Sequence, residues 1–193
     1  MSNEILKKNF LDTAVFFIKH NIKKIIVLSI ITFVFFLVFL FYKNLNIKND
    51  IKISEQYTQA TIYIKQNKIN ESKMLLESII NTEHKFYSPL ALYLIVENNI
   101  EYDKLTIITF FDKIIKNKSI DKENLNLIKI KKAIYLIDLD KEDMVIETLN
   151  PIINSNSVWK KIAINLITEY FLSKGQKNKA KEYSILLKKE SKK

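Results

Sequence analysis

The sequence predicts an all-α chain: one membrane-crossing helix followed by an array of about four antiparallel helix pairs. Three observations predict it. Glycine occurs once, at Gly175, proline only at Pro89 and Pro151, and Asn-Gly and Asp-Gly are absent. Sheets with tight hairpins need such residues at their turns, and helices do not. Ile25 to Tyr42 runs for 18 residues without a charge. Beyond Asp50, apolar residues recur with helical period in stretches of about 12 to 18 residues, divided by polar breaks.

The first element is a short N-terminal segment, residues 1–24. Leu6, Phe10, Ala14 and Phe17 form one apolar stripe there, with Lys7 and Lys8 off it. Such a stripe suits either a helix lying among lipid headgroups or an extension of the helix that follows.

Residues 25–42 are the expected membrane anchor, the part of the chain that meets lipid. Fifteen of the eighteen are Ile, Val, Leu or Phe. As a helix they span about 27 Å, close to the hydrocarbon thickness. Their insertion is favoured by about 6 kcal/mol. Ser29 and Thr32 have helix carbonyls within reach for their hydroxyls. Phe41, Tyr42, Lys43 and Asn44 follow, not the small residues of a signal-peptide cleavage site, so the segment reads as uncleaved. Five lysines (7, 8, 19, 23 and 24) precede it, and three (43, 48 and 52) follow closely. That asymmetry predicts a single-pass protein with its N-terminus in the cytoplasm. In a bacterium the C-terminal domain then lies in the periplasm.

A linker is expected over 43–52, a helical domain over 53–190 and a basic tail over 191–193. Polar breaks at Gln66-Asn67-Lys68, Asn98-Asn99, Lys116 to Asn126, Asp138 to Asp143, Asn154 to Ser157 and Ser173 to Asn178 divide the domain. The predicted helices run over 50–66, 70–82, 88–97, 101–117, 122–138, 141–153, 158–173 and 176–190. Asn70 is a candidate N-cap, and Ser88 another with Pro89 at the first helical position. Gly175 suits a left-handed C-terminal turn. Pro151 is expected to kink or end its helix near Leu149.

A tetratricopeptide-like (TPR-like) repeat fits this array. That pattern puts small residues at positions 8 and 20, large ones at 11, 24 and 27, and a turn at 15. A start at 53 gives Ala60, Tyr63, Asn67, Ser72, Leu76 and Ile79; a start at 126 gives Ala133, Leu136, Asp140, Val145, Leu149 and Ile152. A start at 161 gives Phe171, Gly175, Ala180 and Leu187. A start at 84 matches least well, with Ala91, Leu94, Asn98, Asp103, Ile107 and Phe110. An irregular helical bundle is the alternative. In the repeat reading, positions 2, 5, 9 and 12 of each first helix face a concave groove. They include Tyr57, Ile64, Leu92, Ile95, Ile130, Ile134 and Ile137, a row that is either a protein-binding face or core.

Three stretches also resemble a known family. They are Phe17 to Lys23 before the anchor, Tyr87-Ser88-Pro89-Leu90-Ala91-Leu92, and Trp159 followed by Glu169 to Lys177 and Ala180. The chain resembles the YfgM-like ancillary subunits of the bacterial SecYEG translocon. Ser88 and Pro89 depart from that family's Tyr-Gly-x-Leu-Ala-x-Leu helix start. The resemblance implies an inner-membrane scaffold whose partners are the translocon and periplasmic chaperones. A TPR adaptor in envelope assembly or cell division is the other reading the sequence allows.

Other chemistry finds little support. There is no cysteine, which removes disulfides, thiol nucleophiles and thiolate-bound zinc. One glycine is too few for a Gly-rich phosphate loop. His20 and His84 lack metal-ligand spacing. Asp138, Asp140, Glu142 and Asp143 fall at a turn without the glycine and terminal glutamate of a calcium loop. The net charge of +10 invites nucleic acid or acidic lipid, but all 31 basic residues are lysine. Nucleic-acid recognition leans on arginine, so a solvated surface is the simpler reading. Trp159 reads as a core anchor. The expectation is a scaffold that is no enzyme and takes no cofactor, metal, nucleic acid or small-molecule substrate.

Overall fold

A computed structural model describes the backbone of residues 2–101 and 103–190, and the side chains of residues 20–187 except 25, 45, 46 and 102. The predicted basic tail, 191–193, and the side chains of the Leu6 to Phe17 stripe lie outside the described residues. Eight helices and no strand occur among those described. They are α1 (Ser2–Lys65), α2 (Ile69–Asn81), α3 (Tyr87–Glu97), α4 (Lys104–Ile115), α5 (Lys122–Asp138), α6 (Glu142–Ile153), α7 (Lys160–Ser173) and α8 (Lys177–Glu190). The chain divides into two compact units, with the boundary between Lys52 and Ile53.

The first unit lies within α1. It holds the described helix that is long and apolar enough to cross a membrane, with a mean hydropathy of 3.0 over 18 residues, none of them buried. Phe35, Phe39 and Phe41 stand exposed with their neighbours. The Thr32 hydroxyl donates to the Leu28 carbonyl at 2.9 Å, so this polar group is satisfied within the helix. Residues 43–52, expected as a linker, are helical. They contain neither glycine nor proline, so nothing stops the helix there.

The second unit begins with the last turns of α1. Its odd-numbered helices end alike. Asn67, Asn99, Asp140 and Gly175 all take a left-handed backbone, φ 58, 50, 55 and 70°. The next residue then reaches back five positions: Lys68 to Tyr63, Ile100 to Ile95, Lys141 to Leu136 and Gln176 to Phe171, N–H to carbonyl at 2.9 to 3.1 Å. This double-bonded termination reverses the chain within a few residues. Four helix hairpins result: α1–α2, α3–α4, α5–α6 and α7–α8.

Small side chains sit where these hairpins close. Ala60, Ser72, Ala91, Ala133 and Ala180 are all buried. The Ser72 hydroxyl donates to the Ala60 carbonyl at 3.1 Å, tying α1 to α2. Hydrogen bonds also join successive hairpins, with Lys132 donating to Asp112 across the second junction at a separation of 20 residues. Lys113 donates to Asn81, Ser157 to Glu123, Tyr170 to Asp140 and Gln176 to Glu142, at separations of 32, 34, 30 and 34 residues. Each helix from α2 to α8 packs on its chain neighbours, and α5 also touches α7.

Two expected caps are absent, and one helix runs past its expected end. Asn70 does not cap α2; the helix starts at Ile69, and the carbonyl of Lys68 accepts its first bond, from Ser72. Ser88 does not cap α3 either. It lies inside the helix, and its buried hydroxyl donates to the Ile79 carbonyl at 2.8 Å. The His84 imidazole caps instead, its Nδ1 accepting from the amides of Phe86 and Tyr87 at 3.2 and 3.0 Å. Pro151 does not end α6, which continues to Ile153. Its missing N–H removes one bond in the last turn, while burial of Ile152 and Ile153 holds that turn on the core.

Candidate functional site

The seven residues predicted to line a groove do not share one surface. Leu92 and Ile95 have no exposure, and Ile130 is buried, so these three are core. Tyr57 and Ile64 are half-buried against the N-terminal core, and Ile137 against the C-terminal one. Ile134 alone is open, at 47 % exposure. For Leu92 and Ile95 the expected turn on α3 is one residue out. The register starting at 84 puts the turn at Asn98, whereas the left-handed residue is Asn99. One residue turns a helix by about 100°. Leu92 and Ile95 therefore face the core, and the neighbouring Tyr93 and Val96 are turned outward and only half-buried.

Tyr93 and Val96 do line an open pocket of about 420 Å³. Its walls are α3, with Tyr93, Val96 and Glu97, and α5, with Lys131, Ile134, Tyr135 and Asp138. Phe111 of α4 forms the floor and is itself almost fully buried. The wall residues follow from helical spacing. Tyr93 and Glu97 are four apart on α3; Lys131, Ile134, Tyr135 and Asp138 fall at i, i+3, i+4 and i+7 on α5. Tyr135 meets the floor, its ring centroid 6.1 Å from that of Phe111.

The pocket is polarised. Lys131 holds its ammonium 4.3 Å from the centre of the Tyr93 ring. That geometry attracts a cation to the ring face and covers one wall. Glu97 and Asp138 are the last residues of α3 and α5. Both carboxylates therefore sit where the helix dipoles end negative. Burial pushes the Tyr93 hydroxyl up to about 12. Tyr135 is raised by burial first and then by Asp103, Asp138 and Glu101; Tyr57 is raised by burial and then by Glu97. All three phenols stay protonated near neutral pH and are available as hydrogen-bond donors.

A family model, a curated protein or a solved structure that matches this chain was not found. A pocket of this volume is within the range of ligand and side-chain clefts. Its aromatic and aliphatic walls exclude water, and its charges fix orientation. No group of three or more His, Asp or Glu side chains able to hold a metal occurs among the described residues.

A second cavity, of about 250 Å³, lies between α4, α5 and α6. The Lys132 ammonium and Asp112 carboxylate pair there at 2.6 Å. The acidic turn noted in the sequence is not merely solvated. Asp140 accepts from Tyr170 and Lys174, and Glu142 from Gln176 and Lys179, which clasps the last two hairpins together. Sequence spacing carried no sign of these partners, because they stand one whole hairpin away.

Proposed function

We propose that this chain is a membrane-anchored, TPR-like protein-interaction scaffold whose working surface is the concave face of α3 and α5. The open pocket between those helices carries the reading. It exposes Ile134 and half-exposes Tyr93 and Tyr135 on a face that stacked first helices leave concave. Exposed apolar area of this kind marks interaction sites. The apolar run of α1 supports attachment to a membrane, and the lysine asymmetry favours a domain on the far side from the cytoplasm. The family resemblance makes the bacterial inner membrane the setting, and the translocon and periplasmic chaperones the first partners to test.

A photo-crosslinking amino acid at position 134, in native membranes, tests this. The expected product is a discrete adduct containing a translocon subunit or a periplasmic chaperone. Position 105, on α4 and 70 % exposed, is the control. Adducts from 105 and none from 134 would reject the concave face. In spheroplasts, added protease should digest the domain beyond Lys52; protection until the inner membrane is lysed would reverse the orientation.

A further inference from the structure

We propose that the pocket between α3 and α5 takes a large apolar side chain from a partner polypeptide that also presents a lysine or arginine beside it. The inference rests on the scaffold reading and adds the chemistry of the partner. Two features of the pocket specify the occupant.

The first is the lining. Tyr93, Val96, Phe111, Ile134 and Tyr135 make the walls and floor mainly apolar. An aliphatic or aromatic side chain entering there leaves water and loses no hydrogen bond.

The second is a local reversal of charge. The chain carries +10 in total. At the pocket mouth, however, Glu97 and Asp138 stand together at the negative ends of α3 and α5. Neither carboxylate has a hydrogen bond or ion pair to another described side chain. The neighbouring acids are already engaged: Glu101 pairs with Lys73 at 2.6 Å, and Asp103 caps α4 through the amides of Leu105 and Thr106. The one cation in the lining, Lys131, lies over the Tyr93 ring. It is seven residues before Asp138, two helical turns or about 10 Å away. The acidic end is thus open to a partner's cation. A cation presented beside the apolar side chain meets these two carboxylates, which orients the partner in the pocket.

The test uses the full chain in lipid nanodiscs and three fluorescent peptides. One has Phe-Leu flanked by lysines, the second Phe-Leu flanked by glutamates, and the third Ser-Ser flanked by lysines. The lysine-flanked Phe-Leu peptide should bind at least about tenfold more tightly than either of the others. Glu97→Gln with Asp138→Asn should erase its advantage over the glutamate-flanked peptide. Ile134→Ser should weaken it without moving the melting temperature, because Ile134 is half exposed. Failure of that peptide to bind, equal binding of all three, or retention of the preference in the double variant would overturn the inference. The scaffold reading fails by a separate route, through the absence of adducts from position 134 in membranes.

Discussion

The left-handed residue that closes each odd-numbered helix is the position where a single side chain sets the cost of the turn. Asn67, Asn99 and Asp140 belong to the residue types that tolerate this backbone, and Gly175 carries no Cβ at all. A Cβ added at Gly175 would meet no atom within 4 Å. Gly175→Ala should therefore cost only the conformational penalty, about 1 kcal/mol, read from the urea midpoint. Gly175→Asn should recover most of that loss; equal damage from both would mean that steric crowding, not backbone preference, sets the cost. Burial separates a second pair of residues. Leu92→Glu places an unpaired charge in a site with no exposure and should unfold the domain, at about 3 to 5 kcal/mol. Ile134→Lys should stay within about 0.5 kcal/mol of the parent protein. Circular dichroism melts of both variants check this, and a stable Leu92→Glu would return Leu92 to the surface.

At the scale of elements, the clasp between the α5–α6 and α7–α8 hairpins depends on charge. Lys174 first, then Tyr170, hold the Asp140 carboxyl below its ordinary value; Lys179 and then Gln176 do the same for Glu142. A lowered folded-state value stabilises the fold above the unfolded carboxylate value of about 4, and that contribution declines as pH falls from there through the lowered folded-state value. Asp140→Asn with Glu142→Gln should thus lower the urea midpoint at pH 6, and the gap should narrow as the pH is lowered to 3. A gap unchanged at pH 3 would assign the clasp to neutral hydrogen bonds. Element by element, the sequence was most legible where the cause is local. Apolar period and polar breaks located every hairpin, and Gly175 identified its own turn. The α3 register slipped because Asn98 and Asn99 are equally good turn residues locally, and that slip put Leu92 and Ile95 on the groove. Asn70 and Ser88 misled as caps because the hydrogen bonds that decide those helix starts involve Lys68, His84 and Ile79. The pocket was half legible: Ile134 was named, but Tyr93 and Val96 were hidden by the same slip. The Asp140 and Glu142 clasp needed the fold itself.

The second unit holds two cores, and this decides how the whole domain should unfold. Ala60, Leu76, Ile79, Ala91, Ile95 and Phe111 belong to the first; Ala133, Leu136, Leu149, Ile152, Ala163 and Phe171 belong to the second. The helices between them serve both: α4 gives Phe111 and Ile114 to the first and Ile108 to the second, while α5 gives Ile128 to the first and Ile130 to the second. Stacked helix pairs have stabilities that add unit by unit with a term for each neighbour. Residues 53–193 form a compact unit, so that fragment should fold without the anchor and give a strongly helical spectrum. Whether its two cores melt together depends on how strongly α4 and α5 couple them. Leu149 lies wholly inside the second core, and Leu149→Ala should remove about 2 to 5 kcal/mol from that core alone. The single tryptophan, Trp159, packs against the same core, so its fluorescence follows that half, whereas the far-ultraviolet dichroism follows all the helices. In the Leu149→Ala fragment the fluorescence midpoint in urea should fall below the dichroism midpoint, with the first core still folded between them. Coincident midpoints would mean that the shared helices bind the two cores into one cooperative unit, and the additive picture would fail for this domain.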